Sequence, residues 1–539
     1  MATPAFRGWR SAAVRRGVVR AQPATATGPR TGTPRPAGDQ RPWRTCDRVA
    51  EWTEMAPAPL ESAPGSPEGT PMNRSPGTSS GWVIVACCLS QFLHTVYGSV
   101  VNIALPDIAR DLGAGIDSLQ WVVSAYVLTL ASLLTFAGTL ADRIGRKRTL
   151  LLGNAVMVAG SVVCALSPSV PVLVCGRVLQ GIGSALIAPA GLSLLAEAFP
   201  ERARRAIAVM WWTTIGTASL AAGPILGGLL VRDLGWTSVF WAGVPLGALA
   251  ILLAVVLLKD SRADQPVPFD LVGQVLVTIT LAGFAFALIE GVHLGWTSPA
   301  VLTAAALAVV ALIALVPYEQ RHPHPLIPVQ LLRDRSFVGG LGMAVLGYLA
   351  LAGLLFLNTF YLQSERGLNA TAAGLLTIPL AAGATTSALL AARLVVRGQS
   401  RRALVMSGAL LAAGAAALWA TEHGALWAVI VPYFVFGLGF GFIADPVSVT
   451  ALSSLPESEA GLASSLISTS KQTGQLLGIA GVGTILAAAS GSDAAEFDDM
   501  GGWVWTALVI AGLGILLLAL GTTSGRPATP ADRSAVAGR

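Results

Sequence analysis

Charged side chains are scarce in this 539-residue sequence, where Asp, Glu, Lys and Arg together make up only 12% of the residues and hydrophobic residues make up 53%. A soluble globular domain carries about 25% charged residues. The apolar residues occur in blocks of about 20, the length that crosses the hydrocarbon core of a bilayer. For most of the chain, the composition therefore excludes an ordinary soluble domain and predicts a membrane protein.

The sequence also lacks the motifs of several kinds of chemistry. It contains no G-x-x-x-x-G-K-[ST] phosphate-binding loop, which argues against an ATP-driven pump. It offers no nucleophile–base pair, and the loops after residue 80 are too short for a soluble catalytic domain, so we expect no enzyme. The five cysteines show no metal-ligand spacing with histidine. We therefore expect no cofactor, no metal site and no disulfide framework.

Residues 1–80 differ from the rest of the chain. They are rich in Ala, Pro, Arg, Gly and Thr, and they hold eleven Arg against six acidic residues, which accounts for most of the net charge of +6. Such a composition cannot bury a core, so we expect a disordered tail. Its basic character does not indicate a nucleic-acid partner, because no recognition fold follows it. Met72 stands just before the first apolar block and is an alternative start of the protein.

Long apolar blocks alternate with short polar loops between residues 81 and 521. Because lipid offers the backbone no hydrogen bonds, such blocks must be α-helices. The pattern predicts fourteen membrane spans, near residues 82–105, 118–139, 149–166, 171–195, 207–230, 239–258, 271–290, 299–317, 337–361, 370–390, 402–420, 425–446, 460–489 and 502–521. Residues 522–539 are polar and predict a second disordered tail.

Basic residues in the short loops predict the orientation in the membrane. If the N-terminus is cytoplasmic, the inner loops hold sixteen Lys and Arg residues and the outer loops hold three, Arg110, Arg232 and Arg366. Short loops rich in Lys and Arg stay on the cytoplasmic side. We therefore expect a multi-pass protein of the plasma (inner) membrane with both termini in the cytoplasm.

The loop between predicted spans two and three carries the most specific motif. Its glycines and charges follow a fixed order, Gly138, Asp142, Arg143, Gly145 and Arg146. A merely basic inner loop explains the arginines but not this spacing. The run at 138–148 resembles the G-x-L-a-D-r-x-G-r-k loop of the major facilitator superfamily. The resemblance implies that this loop gates the cytoplasmic side during alternating access, and we call it the gating loop.

A polar face runs along predicted span four. Arg177, Gln180 and Ser184 are spaced so that they share one side of a helix. An arginine inside the membrane is costly unless it is paired or faces water. It is either a structural residue bonded to carbonyls or a cation near a coupling site. Its surroundings are similar to the fourth-helix motif of the same superfamily, which implies that Arg177 takes part in proton transfer.

Predicted span five contains a Gly-Pro pair followed by two glycines. These residues are Gly223, Pro224, Gly227 and Gly228. Small residues spaced by four permit close helix contact, and a proline can kink a helix. The pattern resembles the motif of the antiporter branches of the superfamily, which implies export.

Further matches extend the resemblance over about residues 82–521. They include Asp270 and Gly273 at the start of span seven, and Lys471 and Gln472 in span thirteen. Together they are similar to the drug:proton antiporters with fourteen spans. The resemblance implies an all-α polytopic membrane protein with the major facilitator fold, made of two six-helix bundles at 81–258 and 321–521 and two extra helices at 259–320. It also implies a monomer that transports small molecules and protons.

Two residues depart from that branch. Tyr97 stands where the branch commonly has Asp, five residues before Asn102, and Gly243 stands where it usually has Asn. His94 could replace the missing proton carrier, since its ordinary pKa is about 6.5, or it could be a structural histidine. With Asn102, Gln180 and Gln472, Tyr97 is also a candidate for the substrate path.

A second titratable candidate lies near the end of predicted span twelve. Asp445 precedes Pro446, and Lys471 in span thirteen is a possible partner. Asp445 is either a proton site that replaces the missing first-helix Asp or a solvated acid at a helix end. Arg177, Asp445, His94 and Lys471 are thus the candidates for proton coupling.

Export of amphipathic organic compounds by proton antiport is the leading functional hypothesis. The alternative is an exporter of the same fold for another metabolite, such as a siderophore, amino acid, sugar or lipid. A third class, a receptor or scaffold without transport, is disfavoured by the intact gating loop, Arg177 and the Gly-Pro pair.

Overall fold

The computed structural model describes residues 79–262, 268–323, 325–327, 329–452, 460–489 and 494–522. These ranges contain helices and no β-strand. The α-helices are α1 (Ser79–Val96), α2 (Leu105–Leu112), α3 (Ile116–Ile144), α4 (Arg146–Ala165), α5 (Val170–Ala198), α6 (Arg202–Leu234), α7 (Thr237–Leu257), α8 (Leu271–His293), α9 (Pro299–Arg321), α10 (Arg335–Thr359), α11 (Ala370–Leu376), α12 (Ile378–Val396), α13 (Ser400–Thr421), α14 (Ile430–Ala444), α15 (Pro446–Leu452), α16 (Ala460–Ala489) and α17 (Ala494–Gly521). The all-α fold class is confirmed. The predicted tails, apart from residues 79, 80 and 522, lie outside the described residues.

Many of these helices can span a membrane. Within the described ranges, eleven segments are long and apolar enough to do so, and α6 is a twelfth if its two bent halves count as one span. α1 is a shorter apolar helix, and α16 has 30 residues with a polar stretch around Lys471. The prediction of a helical protein with many spans is confirmed, whereas the number fourteen stays a prediction.

Side-chain caps explain where several helices begin. Asp270, Ser298, Asp334 and Asn369 each accept a hydrogen bond from the backbone N–H three residues later, at 2.8 to 3.3 Å. A cap of this kind satisfies one of the amide groups that a helix start leaves unpaired. The polar residues between the apolar blocks thus determine the starts of α8, α9, α10 and α11.

The gating loop is mostly helical, which differs from its prediction as a loop. α3 continues to Ile144 and α4 begins at Arg146, so Gly145 alone makes the turn. Its φ of 109° lies in a region that residues with a side chain rarely adopt. A one-residue connection is therefore sufficient here because that residue is glycine.

Three predicted spans are interrupted. The first ends as α1 at Val96, well before the predicted residue 105, and irregular backbone leads to α2. The span at 370–390 is divided at Thr377 into α11 and α12, and the span at 425–446 is divided at Asp445 into α14 and α15. Pro379 and Pro446 lie just after these two breaks, and proline lacks the amide hydrogen that would continue a helix.

The helices pack in two groups. Helices α1–α7 contact mainly one another, and we call them the first helix group; α10–α17 form the second helix group. α8 and α9 pack together, and α8 also contacts α3 and α16. This pair therefore lies beside the contact between the two groups.

Hydrogen bonds join the two groups where α1, α6 and α10 end. Thr359 Oγ1 donates to the carbonyl of Asn102 at 3.0 Å, and Thr371 Oγ1 donates to the carbonyl of Gly228 at 2.8 Å. We call the region of these four residues the closed end. The gating loop lies at the opposite end of α3, because α3 starts near the closed end and finishes at the gating loop.

Candidate functional site

Arg177 is the centre of a buried polar network in the first helix group. Its side chain is fully buried in α5. Nε donates to the carbonyl of Val122 at 2.8 Å, Nη1 to Gln180 Oε1 at 2.8 Å, and Nη2 to the carbonyl of Tyr97 at 3.2 Å. The guanidinium also lies over the ring of Tyr126, 4.4 Å from its centroid. Arg177 thereby connects α3, α5 and the segment that follows α1.

The positive charge of Arg177 has no carboxylate partner among the residues that the structure describes. Its contacts are carbonyl oxygens, an amide oxygen and an aromatic face. A buried charge is costly unless it is hydrogen-bonded, and an aromatic face attracts a cation. These contacts therefore stabilise the cation without neutralising it, so the region favours an anion or an electron-rich group nearby.

Gln180 extends the network from Arg177 to Tyr97. Gln180 Nε2 donates to Ser161 Oγ at 2.9 Å, and Ser161 Oγ lies 3.3 Å from Tyr97 Oη. Tyr97, Ser161, Arg177 and Gln180 are each at most 1% exposed. The predicted substrate-path residues Tyr97 and Gln180 are thus brought together, but they are enclosed by their partners in this arrangement.

The two departures from the expected residue pattern, Tyr97 and Gly243, meet in space. The hydroxyl of Tyr97 donates to the carbonyls of Val239 and Phe240 at 3.3 and 3.2 Å, and its ring stacks on Phe240. The same hydroxyl occupies the space where a β-carbon on Gly243 would lie. A tyrosine at position 97 therefore requires glycine at position 243, so the two changes form one local unit.

His94 belongs to a second branch of the network. Tyr126 Oη donates to the carbonyl of His94 at 2.6 Å and lies 2.8 Å from Ser184 Oγ. The ring nitrogen Nδ1 of His94 is 3.3 Å from the same hydroxyl. His94 is 8% exposed. It is therefore buried beside Tyr126, whose ring also contacts Arg177.

Asp445 and Lys471 come close in the second helix group, but they form no ion pair in the described part of the chain. Asp445 is exposed at the break between α14 and α15. Lys471 Nζ instead donates to the carbonyl of Ala444 at 3.2 Å and lies 3.4 Å from Ser448 Oγ. Because the helix breaks at Pro446, carbonyls at the end of α14 are available to a side-chain donor. This is the arrangement of a solvated acid beside a helix-end cation.

A small cavity of about 10 Å³ lies between the two helix groups. This is room for about one water molecule. Its polar lining comes from Asn102 in the first group and Gln475 in the second. Asn102 Oδ1 is buried without a hydrogen-bond partner among the described residues, and so is Oε1 of Gln472. Of the predicted substrate-path residues, Asn102 therefore faces the boundary between the groups.

Sequence reasoning missed other polar groups near this boundary. Gln120 and Ser124 in α3 are fully buried, and their side-chain polar atoms have no hydrogen-bond partner among the described residues. Gln120 lies against Gly483 of α16. Their spacing of four, inside an apolar span, was the available signal. An unpaired buried polar atom costs about 1–3 kcal/mol, so these side chains gain if the groups separate here.

The gating loop contacts the end of α5, the segment that follows α7 and the residues just before α8. Arg146 pairs with Asp142 at 3.4 Å and with Glu197 at the end of α5 at 2.9 Å. The guanidinium of Arg143 lies 4.2 Å from the ring centroid of Phe269, just before α8. Asp142 of the motif is thus paired with a basic residue of the same loop.

The Gly-Pro pair of α6 lies at the closed end. α6 bends by 44° just before this pair, as expected from the clash between a proline ring and the preceding turn. Gly223 and Gly227 lie against Val100 after α1, and Gly228 lies against the backbone of Ala370 in α11. The small residues thus allow α6 to pack closely against the segment after α1 in its own group and against α11 in the second group.

Comparisons with known proteins agree with this arrangement. Residues 87–479 match the model of the Major Facilitator Superfamily. The chain is 34% identical over 405 residues to Multidrug resistance protein Stp of Mycobacterium tuberculosis, over 75% of each chain. It is 36% identical over 420 residues to Methylenomycin A resistance protein of Streptomyces coelicolor, over 77% of this chain and 87% of that protein. It is 32% identical over 460 residues to Puromycin resistance protein pur8 of Streptomyces alboniger, over 84% and 89% of the two chains.

Proposed function

The chain belongs to the Major Facilitator Superfamily and is a transporter rather than an enzyme, and on this premise we propose that it exports amphipathic organic compounds such as drugs or antibiotics. The substrate class is supported by relatives whose names refer to multidrug, methylenomycin A and puromycin resistance. These relatives align over three quarters or more of both chains. The observation that carries the proposal is this similarity over 405 to 460 residues rather than at a single motif.

The proposed architecture has fourteen spans in two six-helix bundles with α8 and α9 between them. The two helix groups, the broken helices α11–α12 and α14–α15, and the additional helices α1 and α16 support this count. The bias of basic residues supports cytoplasmic termini in the plasma membrane. The protein is proposed to act as a monomer on a small molecule and protons in the lipid bilayer.

The proposed mechanism is alternating access. In the proposed orientation the closed end faces the outside, so this arrangement is one in which the outer side is closed. Export then requires the hydrogen bonds of Thr359 and Thr371 across the closed end to break, while the gating-loop end closes. The bend of α6 supports this direction, because its glycines lie at the contact that must separate.

Proton coupling in this chain must use residues other than an acid at position 97. The buried network around Arg177 contains His94, Tyr97 and Tyr126 but no carboxylate ion pair within the described residues. Asp445 is exposed beside the cation of Lys471. We propose that Asp445 exchanges protons with the aqueous phase, and that His94 is the candidate within the membrane.

Export is tested by producing the chain in a bacterial strain that lacks its own efflux pumps. We expect the wild type to raise the inhibitory concentration of several amphipathic compounds in a broad panel and to reduce their accumulation in cells. The matched control is a Gly145→Val variant produced at equal level, in which the single-residue turn of the gating loop is strained. If cells with the wild type and cells without the protein accumulate every compound of the panel equally, drug export is contradicted and export of another metabolite is favoured.

Proton coupling is tested in liposomes that contain a pH-sensitive dye. We expect substrate to drive proton movement with the wild type and expect Asp445→Asn to reduce this movement about tenfold or more, because an amide carries no exchangeable carboxyl proton. His94→Ala tests the second candidate. The control is Asp233→Asn, which removes another exposed acid. Unchanged proton movement in both Asp445→Asn and His94→Ala would refute the assignment of these residues.

A further inference from the structure

Two carboxyl groups are buried outside the polar network, where α8 begins and α9 ends. Asp270 immediately precedes α8 and is 6% exposed, and Glu319 lies in the last turn of α9 and is 2% exposed. Both belong to the pair of helices that lies beside the two helix groups. Neither residue has a part in the proposed transport path.

One oxygen of each carboxyl group is well supplied with hydrogen-bond donors. Asp270 Oδ1 accepts from the backbone N–H of Gly273 at 2.8 Å and from Tyr318 Oη at 2.8 Å. Glu319 Oε2 accepts from the backbone N–H of Ile327 at 3.2 Å. These contacts fix the orientation of both groups, and they connect α8, α9 and the segment that follows α9.

The other oxygen of each carboxyl group lies beside Gly273 and has no hydrogen-bond donor among the described residues. Asp270 Oδ2 and Glu319 Oε1 are both buried, and neither has a hydrogen-bond partner among the described residues. Both lie against the position that a β-carbon on Gly273 would occupy. The absence of a side chain at Gly273 therefore lets the two oxygens approach each other.

The positive charge around this pair is small. His322 Nδ1 lies 3.9 Å from Asp270 Oδ2, and its ring stacks on Tyr318. From the side of α3, the guanidinium of Arg143 lies over the ring of Phe269. No Lys or Arg ion pair with Asp270 or Glu319 occurs in the described ranges. Two ionised carboxylates in one buried site repel each other strongly, so this arrangement needs a positive charge between them.

We propose that Asp270 and Glu319 form a proton-binding site in which one proton is shared between Asp270 Oδ2 and Glu319 Oε1. One carboxyl group then donates the hydrogen bond that the other accepts, so both unpaired oxygens are satisfied. The shared proton joins the start of α8 to the end of α9. Loss of the proton leaves two facing negative charges, and the two helix ends separate.

The site is connected to the gating loop through one residue. Phe269 precedes Asp270 in the chain, stacks on Phe136 of α3 at a centroid distance of 5.0 Å, and lies under the guanidinium of Arg143. Separation of the helix ends would therefore move the aromatic ring on which Arg143 rests. The proton at this site thus stabilises the present position of the gating loop.

The test uses the full chain in lipid nanodiscs and measures thermal unfolding over a series of pH values. We expect the Tm of the wild type to fall as the pH rises and the shared proton is lost. Asp270→Asn and Glu319→Gln replace the proton by an amide donor of similar shape, so both should keep the Tm high and remove this fall. The matched control is Asp334→Asn, because Asp334 caps α10 as Asp270 caps α8 but faces no second carboxylate in the described structure.

A second measurement detects the proton itself. The infrared difference spectrum of wild type minus Glu319→Gln should contain the band of a protonated carboxyl group at neutral pH, and the band should vanish in alkaline buffer. The absence of this band, or an unchanged fall in Tm in both variants, would overturn the proposal. The Tm of the wild type could instead rise with the sodium concentration at constant pH, while the Tm of Asp270→Asn and of Glu319→Gln does not. This result would also overturn the proposal, because a metal cation rather than a proton would then lie between the two acids. None of these measurements depends on transport.

Discussion

Replacing Arg177 with lysine is expected to abolish transport while leaving a folded protein. The three acceptors of Arg177 surround a planar guanidinium and come from α3, from α5 itself and from the segment that follows α1. A lysine ammonium donates all its hydrogen bonds from a single nitrogen, so it cannot reach the three acceptors that the separate nitrogens of the guanidinium reach. A hydrogen bond from a charged group contributes about 1.5–3 kcal/mol, and a loss of about 3 kcal/mol in one state changes an equilibrium by about a hundredfold. We therefore expect transport to fall by at least about that factor.

The experiment compares Arg177→Lys, Arg177→Ala and Arg204→Lys. Arg204 is an exposed arginine that pairs with Glu201, and exposed pairs contribute about 1 kcal/mol or less, so its substitution should leave transport unchanged. Arg177→Ala also leaves a cavity and several unpaired acceptors, and we expect it to reduce the amount of folded protein in the membrane. Normal transport by Arg177→Lys would show that the positive charge alone is sufficient and that the fork geometry is not needed.

Tyr97 and Gly243 are expected to show strong coupling in a double-mutant cycle. Gly243→Ala should destabilise the protein by about 1–3 kcal/mol, because the new methyl group meets the Tyr97 hydroxyl in a closely packed core. Tyr97→Phe removes that hydroxyl together with its contacts to two carbonyls. In the double variant the methyl group no longer meets the hydroxyl and meets only the edge of the ring, so its cost should fall by about 1 kcal/mol or more. Thermal unfolding of the four proteins in one detergent measures the coupling.

The same pair allows a functional test. Tyr97→Asp with Gly243→Asn introduces the residues that the fourteen-span antiporter branch commonly has, and it places a carboxylate near Arg177. We expect proton-driven transport to become less dependent on Asp445 in this double variant, whereas Tyr97→Asp alone should leave a poorly filled site. The single and double variants are compared in the liposome assay, each with and without Asp445→Asn. Additive effects throughout would contradict a connection between position 97 and coupling.

Local sequence was a good guide to elements whose causes are local. The predicted span at 402–420 agrees with α13 (Ser400–Thr421), because a long segment in lipid must satisfy its own backbone hydrogen bonds. The gating loop was placed correctly along the chain, but its helical character was missed, because the pattern of glycines and charges does not tell where a helix ends. The breaks in the first, tenth and twelfth predicted spans were also missed, although prolines marked two of them.

The candidate site was predictable only in part. Arg177 and Gln180 stood out because polar residues are costly inside an apolar span. Tyr97 stood out because the antiporter branch that the sequence resembles commonly has Asp at this position. Their partner Ser161 in α4 could not be derived, because contacts between distant segments depend on how each helix is rotated and packed. For the same reason, the sequence suggested a pair between Asp445 and Lys471, whereas Lys471 binds the carbonyl at the end of α14.

The sequence by itself determined that this chain is a helical membrane protein with a Gly- and Arg-rich turn after its second predicted span, an arginine inside its fourth and a Gly-Pro pair inside its fifth. These features depend on lengths, apolar runs and local geometry, which the order of residues contains directly. The tertiary structure alone decided which side chains meet. The fit of Tyr97 over Gly243, the enclosed charge of Arg177 and the approach of Asp270 and Glu319 to Gly273 all depend on residues from more than one helix. Such contacts arise from the packing of whole helices, because small residues at a few positions determine how closely their neighbours approach.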